Sequence, residues 1–379
     1  MTRKKTPAQS VFSLTALALA LALGGLITGG LLYAGPLTPP VGPVTGTYKT
    51  LTEVEPRTAI NATNTPGDVD SLFKITQPGS YYLTGNITGV VGKHGIEIAA
   101  SGVTLDLSGF SLQGIAGSLS GVTAAFLSQN LIVRDGTVLS WGMHGIGLNQ
   151  SAVVAESIIA EGNGQHGIAV GSESVVRSCI GRANTLSGIS TGTACAVSAC
   201  TAASNGNQGI STNSRCSVTG CAVEGNTGDG ISGAFNTLIA DCSSGSNSAS
   251  GISLSQGGMV IRCSVSFNAV NGIVTTSDGT IMGNACDSNG STVIGAGLLV
   301  SGSDNRIEGN NCTDADFGIR VTFAGNFIAR NICSGNNTNW DVVAGNVCLV
   351  VQGVTGAAIL GNTGGVAPGS TDPNANFTY

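Results

Sequence analysis

The chain has 379 residues, and only 9% of them are charged, against about 25% in an ordinary globular protein. Glycine accounts for 58 residues, and the formal net charge is −6 at pH 7. No lysine follows Lys93, and no basic stripe is interleaved with aromatic residues, which argues against nucleic acid as a partner.

The N-terminal segment has the pattern of an export signal. Arg3, Lys4 and Lys5 form a basic start, and residues 11–33 are uncharged and mostly apolar. Residues 1–34 are therefore predicted to be a signal peptide, or a signal anchor if retained, because the apolar run is also long enough to cross a bilayer. This places the protein at an extracellular, periplasmic or cell-surface location, with membrane contact only if the segment is not cleaved.

Residues 35–70 are predicted to be a linker followed by an N-terminal cap. Four prolines stiffen its start, at Pro36, Pro39, Pro40 and Pro43. A short helical turn is expected within residues 51–60. The segments Phe73–Ile75 and Tyr81–Leu83 are typical of two strands joined by a turn. They would close the first coil, because an open end of stacked strands exposes unpaired backbone groups.

One 21-residue unit is repeated between Gly167 and Gly272. Each unit begins with Gly-Ile and then carries a β-branched residue, a cysteine and an asparagine at fixed offsets. The cysteines are Cys179, Cys200, Cys221, Cys242 and Cys263, and the asparagines are Asn184, Asn205, Asn226, Asn247 and Asn268. A fixed period of about 20–50 residues indicates a stacked repeat architecture.

The repeat favours strands and turns, since its short apolar-alternating pieces lack a helical period. Three short strands per unit bury little alone, but each can pair in parallel with its counterpart one unit away, at about 4.8 Å. Identical positions then form columns, with inward isoleucines and an asparagine ladder at a turn. Weaker copies on both sides predict a single all-β parallel β-helix of about twelve coils over residues 71–356. An irregular tail, 357–379, follows, with Phe377 and Tyr379 available to dock on the last coil.

Eleven cysteines in an exported chain would suggest disulfides, but their spacing indicates another role. The repeat cysteines share a column that Asn284, Asn310 and Asn331 continue, so Cys and Asn are alternatives at one bend position. Stacked Cβ atoms at about 4.8 Å are further apart than a disulfide prefers. We therefore predict buried free thiols. Inter-coil disulfides are the second alternative and a metal site the third, because one column offers no tetrahedral geometry.

Histidines and carboxylates supply the remaining candidate chemistry. His94, His144 and His166 each precede a repeat glycine. His144 and His166 should be neighbours, either as polar turn residues or as a metal or acid–base site. A charged group near the C-terminal coils contains Asp304, Arg306, Glu308, Asp314, Asp316 and Arg320. A solvated ion-pair network is one interpretation. The other is a carbohydrate or Ca²⁺ site with Asp314, Asp316 and Arg320 as catalytic candidates, and no other cofactor is predicted.

The repeat resembles that of the right-handed parallel β-helix proteins of the pectin-lyase-like superfamily. Two early segments, Val103–Phe110 and Val133–Val138, are similar to the opening coils of that superfamily. The resemblance covers about residues 71–356 and implies a single right-handed β-helix. It implies no single function, because this scaffold carries lyases, hydrolases, epimerases, tail spikes and adhesins.

Enzymes of this superfamily usually place their chemistry on the outer face of the strand that begins at Gly-Ile. Here the outward position is small and neutral, at Ala169, Ser190, Ser211, Ser232, Ser253 and Val274. We therefore favour a structural role, or binding to polysaccharide or cell-envelope material, with no assignable catalytic site. The alternative is a polysaccharide lyase or glycoside hydrolase with a site in the C-terminal coils.

Overall fold

The computed structural model describes residues 55–291, 294–352, 359–361 and 372–379. The predicted signal segment at residues 1–34, and the linker up to residue 54, lie outside the described residues. No helix in the described ranges is both long and apolar enough to cross a membrane.

Two parallel sheets wind into one solenoid. The first, called here the Gly-Ile sheet, has 14 strands: Ser71–Ile75, His94–Ile98, Val122–Ala124, Ile146–Leu148, Ile168–Val170, Ile189–Thr191, Ile210–Thr212, Ile231–Gly233, Ile252–Leu254, Ile273–Thr275, Ala296–Val300, Phe317–Val321, Thr338–Val342 and Ile359–Gly361.

The second, called here the double sheet, has 26 strands: Thr58–Ala59, Gly79–Tyr82, Ile87–Thr88, Val103–Asp106, Ser111–Gln113, Leu131–Leu139, Val153–Glu161, Val175–Arg177, Ile180–Arg182, Ala196–Ser198, Thr201–Ala203, Ser217–Thr219, Ala222–Glu224, Leu238–Ala240, Ser243–Gly245, Met259–Ile261, Ser264–Ser266, Thr280–Met282, Ala285–Asp287, Arg306–Glu308, Asn311–Thr313, Phe327–Ala329, Ile332–Ser334, Val347–Cys348, Val350–Gln352 and Asn376–Thr378.

A typical coil has three strands and three bends. In one coil, Ile168–Val170 of the Gly-Ile sheet is followed by Val175–Arg177 and Ile180–Arg182 of the double sheet. We call the bends after these strands the first, second and third bend. Each strand of this coil pairs in register with the strand 21 residues further on, as in Ile168 with Ile189. The predicted all-β right-handed parallel β-helix is confirmed, with fourteen rather than twelve strands in the Gly-Ile sheet.

Each bend of this coil contains a residue in the left-handed backbone region followed by a buried ladder residue. The left-handed residues are Glu173, Ser178 and Ala183, with φ of 58°, 54° and 53°. The ladder residues that follow are Ser174, Cys179 and Asn184, all buried. This conformation costs a non-glycine residue roughly 1–2 kcal/mol. The ladders offset the cost, because their side chains satisfy backbone groups that would otherwise be buried without a partner.

The third-bend ladder shows how the offset arises. Asn205 Oδ1 accepts hydrogen bonds from both the backbone N and the side-chain Nδ2 of Asn184, at 3.1 and 3.0 Å. The same pair of bonds recurs at each step from Asn163 to Asn289. Every rung therefore closes one bend and anchors the next coil.

The core runs inside the solenoid as columns. The six isoleucines of the repeat are fully buried, at Ile168, Ile189, Ile210, Ile231, Ile252 and Ile273. Outside, a few ion pairs join consecutive coils: Arg177 with Glu156 and Arg182 with Glu161, both at 2.8 Å, and Arg262 with Asp241 at 2.7 Å.

Both ends of the solenoid differ from the sequence prediction. Thr58–Ala59, where a helical turn was expected, is a strand paired with Gly79–Tyr82. The tail is not irregular throughout, because Asn376–Thr378 pairs with Ile332–Ser334 and Val350–Gln352. Asn376 extends the second-bend ladder by accepting from Asn331 Nδ2 at 2.9 Å. The expected docking residues, Phe377 and Tyr379, are 45% and 63% exposed instead.

Candidate functional site

The outer face of the Gly-Ile sheet is flat and uncharged along the repeat. Ser190, Ser211 and Ser232 stand in register and are half-buried. Asp229 is an isolated carboxylate beside them, and burial raises its pKa while Ser250 N donates to it at 2.9 Å. The serine hydroxyls of this face can donate and accept hydrogen bonds. Along the described repeat, no second acidic or basic side chain of this face accompanies Asp229.

The two histidines proposed from the sequence as a metal or acid–base site are neighbours. Their rings stack with centroids 5.5 Å apart and planes 4° from parallel. His166 Nδ1 accepts from Ser187 N at 3.1 Å. Burial, followed by the nearby His166, lowers the pKa of His144 to about 4, and burial also lowers that of His166, so both are neutral at pH 7. The one group of three or more metal-ligating side chains in the described residues does not include them.

That group lies in the first coils and was missed by sequence reasoning. It consists of Asp68, Asp70 and Glu97. Lys74 Nζ already bridges two of the three carboxylates, 2.7 Å from Asp68 and 2.9 Å from Glu97. The Lys74 ammonium lowers the pKa of Asp68, and the two carboxylates raise that of Lys74, so Lys74 is held protonated and cannot act as a base. Only the strand pairing that sets Lys74 opposite Glu97 reveals this cluster. The cluster holds the N-terminal cap in place.

The C-terminal charged residues do not form one site. Arg306 and Glu308 lie on the double sheet, where Glu308 pairs with Arg306 and with Arg330. Arg320 lies on the Gly-Ile sheet, 3.0 Å from Asp341 and over the Phe317 ring. Asp304 is in a first bend. This leaves the other two candidates, Asp314 and Asp316, at a third bend.

Asp314 and Asp316 have different roles at that bend. Both oxygens of Asp316 are engaged, since Gly295 N donates to one at 3.1 Å and Asn337 Nδ2 donates to the other at 2.7 Å. Asp316 therefore holds the bend. Asp314 is exposed, has φ of 54°, and accepts no hydrogen bond from a described side chain or backbone group. Of the two, Asp314 is the one available to a ligand.

Two shallow depressions meet at Phe267 on the outer side of the third bend. One, of about 420 Å³, lies between Phe267 and Asn337 and includes Asp314 and Asp316. The other, of about 300 Å³, lies along the second strands of the double sheet from Thr201 to Phe267. Together they form what we call the Phe267 groove. It crosses seven consecutive coils, about 29 Å at the usual strand spacing.

The chemistry of the Phe267 groove is polar and acidic around one aromatic ring. Phe267 is 60% exposed and lies at the left-handed position of its bend, with φ of 57°. Serine, threonine, asparagine and glycine make up most of the lining. Glu224, Asp314 and Asp316 are its carboxylates, and no described lining residue is Lys or Arg. The groove can therefore stack a flat apolar face on Phe267 and hydrogen-bond hydroxyl groups on either side.

Sequence reasoning named Asp314 and Asp316 but missed Phe267. The missing signal was the residue before each ladder asparagine, which is Ala183, Ser204, Gly225, Ser246, Phe267 and Ser288 in successive units. A single large aromatic residue in a column of small residues, at a position that the bend turns outward, marks a surface feature that packing does not require.

No protein-family model matches the chain, and no curated protein sequence matches it. Solved structures do match its fold. One is the A-module of the mannuronan C-5 epimerase AlgE4 of Azotobacter vinelandii, with a TM-score of 0.60 and 16% identity over 71% of this chain and 90% of that one. Another is the A-module of AlgE6 from the same organism, with a TM-score of 0.54 and 14% identity over 79% and 90%. The chain therefore has the right-handed parallel β-helix fold of the pectin-lyase-like proteins.

Proposed function

We propose that this β-helix binds a polysaccharide along the Phe267 groove without chemically altering it. The observation that carries the proposal is the exposed Phe267 ring at the junction of two polar depressions. A sugar ring presents C–H groups on one face and hydroxyl groups at its edge, which suits an aromatic platform bordered by serine and asparagine. The coil spacing is also similar to the length of one hexose unit, so the hydroxyl groups of Thr201, Ser243 and Ser264, which share one column, lie at multiples of a sugar repeat.

The charge of the groove supports a neutral or amino-bearing polysaccharide over a polyuronate. Glu224 and Asp314 are exposed, and no described residue donates a hydrogen bond to either carboxylate. Arginines on the coils that the groove crosses or adjoins are paired, since Arg182 pairs with Glu161, Arg262 with Asp241 and Arg330 with Glu308. An anionic chain would meet these carboxylates with no compensating cation. Export to a compartment containing such polymers is the prediction made from residues 1–34.

Binding is tested by affinity electrophoresis and calorimetry against a neutral glucan, a neutral mannan, chitosan, alginate and polygalacturonate. We expect the neutral or amino-bearing polymers to bind, and Phe267→Ala to weaken binding at least tenfold, equivalent to about 1.4 kcal/mol. Phe235→Ala is the matched control, because Phe235 is 54% exposed but lies in a first bend, outside the groove. Equal affinity of both variants would contradict the location of the site.

The flat Gly-Ile face is the competing location. Replacing Ser211 and Ser232 by arginine places bulky charges there without touching the groove. If this variant loses binding while Phe267→Ala keeps it, the polysaccharide lies on the flat face instead.

Cleavage at Asp314 is the second candidate function, because that carboxylate lies unpaired in a depression. A depolymerisation screen of the same polymers, with and without Ca²⁺, tests it. Turnover that Asp314→Asn abolishes would replace the binding proposal with a catalytic one. Asp314 is the cleaner substitution, since Asp316 also holds the bend.

A further inference from the structure

The buried cysteines of the second bend form a regular array that glycan binding does not use. Five consecutive coils contribute one free thiol each, at Cys179, Cys200, Cys221, Cys242 and Cys263. Each is no more than 3% exposed. The strands on both sides of the bend keep their register from coil to coil, so consecutive rungs are separated by one strand spacing, about 4.8 Å.

The thiols point the same way in every rung. Cys179 Sγ donates to the carbonyl two residues before it at 3.2 Å and to Ala155 O at 3.5 Å. The other four make the equivalent two contacts, to the carbonyls two and 24 residues before them. Because the side chains are parallel, the distance between consecutive sulfur atoms equals the coil spacing.

That spacing fits a metal ion held in line between two sulfurs. A metal–thiolate bond is about 2.3 Å for zinc, so two such bonds in line span about 4.6 Å. Each interval offers two sulfurs and not four, which excludes the tetrahedral coordination that Zn²⁺ prefers. Thiolates select soft cations, and Cu(I) and Ag(I) accept two ligands.

We propose that the second-bend cysteine ladder binds soft monovalent cations, Cu(I) or Ag(I), one in each interval between consecutive thiols. The first ion forms two metal–sulfur bonds and displaces two thiol protons to solvent. Each ion in an adjoining interval forms one bond to a sulfur already deprotonated and one to a new sulfur, so it releases one proton. Four ions and five thiolates leave a net charge of −1, which a buried ladder tolerates far better than free thiolates.

The chain itself supplies the matched substitution. Asn284 occupies the same column and accepts from Cys263 N at 2.9 Å, so asparagine fulfils the capping role of the ladder without a thiolate. Cys221→Asn should therefore fold and should interrupt the ladder at its middle rung, removing two of the four intervals. Cys348→Ala is the control, since Cys348 lies on the strand Val347–Cys348 near the C-terminal end of the solenoid, outside the column of five cysteines, where its sulfur contacts Asn376.

The test uses the full reduced chain under anaerobic conditions, titrated with Ag(I) and followed by calorimetry, proton release and thermal unfolding. We expect Ag(I) to raise the melting temperature, because it binds the folded ladder. Cys221→Asn should bind two fewer ions than the wild type. Cys348→Ala should retain the wild-type number of ions in this ladder. A lower melting temperature with Ag(I) would show that the ions bind thiols of the unfolded chain, and would overturn the proposal. Unchanged stoichiometry in Cys221→Asn, or equal stabilisation by Zn²⁺, would also overturn it.

Discussion

The asparagine ladder of the third bend should dominate the stability of the central coils, and Asn226→Ala tests this. Asn226 is fully buried. Its Oδ1 accepts from Asn205 N at 3.0 Å and from Asn205 Nδ2 at 2.9 Å, and its Nδ2 donates to Asn247 Oδ1 at 3.0 Å. The alanine variant removes the acceptor of two buried N–H groups of Asn205. The backbone N–H loses its partner, and Nδ2 keeps only the bond from its other N–H to Gly181 O, at 3.0 Å.

The expected loss follows from those two donors. A buried N–H group left without a partner costs about 1–3 kcal/mol, so the backbone N–H and the one Nδ2 N–H together amount to about 4 kcal/mol in the free energy of unfolding. The acceptor side contributes less, because Asn247 Oδ1 still accepts from the backbone N of residue 226 and Glu224 O still accepts from Ser204 N, both at 3.0 Å. Ala202 O loses the bond that Asn226 Nδ2 donates to it at 3.1 Å. A loss of this size is a large part of the roughly 5–15 kcal/mol that stabilises a domain.

Urea unfolding followed by far-UV circular dichroism measures the loss. Asn213→Ala is the control, because Asn213 is exposed and an exposed substitution should change the free energy of unfolding by about 0.5 kcal/mol or less. If the two variants differ by less than about 1 kcal/mol, the ladder is not the main restraint on the bend, and the reasoning from unpaired donors is wrong.

Three further predictions concern other positions. Thiol titration of the native chain should detect few reactive cysteines, rising to most of the eleven after denaturation without reductant, and two or fewer would indicate disulfides. Burial and then His166 lower the pKa of His144 to about 4 in the folded chain. As pH falls, His144 is therefore protonated in the unfolded chain at a higher pH than in the folded one. The free energy of unfolding should therefore decline from about pH 6.5 towards pH 4, and His144→Gln should flatten that decline. Phe267→Gly should keep the melting temperature within a few degrees, since glycine relieves the left-handed backbone, while it abolishes glycan binding. A large drop in melting temperature would mean that the ring is structural.

The sequence predicted the fold because a parallel stack turns sequence spacing into spatial adjacency. An offset of 21 residues places Ile189 on Ile168 and Asn205 on Asn184. The same rule found that Cys263 is followed in its column by Asn284, across a change of residue type. Positions within the regular units were therefore predictable to the individual residue.

Prediction was poorer where a contact joins positions that the period does not relate. Lys74 contacts Asp68, which precedes the first regular coil, and the strand Asn376–Thr378 lies 45 residues from its ladder partner at Asn331. For the candidate site, the carboxylates were visible as charges, but whether a carboxylate is free depends on its partners. Asp316 is engaged by Gly295 and Asn337, whereas Asp314 is not. No residue pattern distinguishes these two cases.

The inter-coil ion pairs have a consequence for how the chain assembles. Because the 21-residue units are near copies, a unit can pair during folding with the wrong neighbour, displaced by one whole unit. Such a slipped stack would still bury isoleucine against isoleucine. In the native frame Arg177 faces Glu156 and Arg182 faces Glu161. A slip of one unit would set Glu156 opposite Ser198 and Glu161 opposite Ala203. Exposed ion pairs contribute only about 0.2–1 kcal/mol each to stability. Their main effect is therefore to favour the native order of coils over a slipped one. Neutralising them should increase misfolding far more than it lowers native stability.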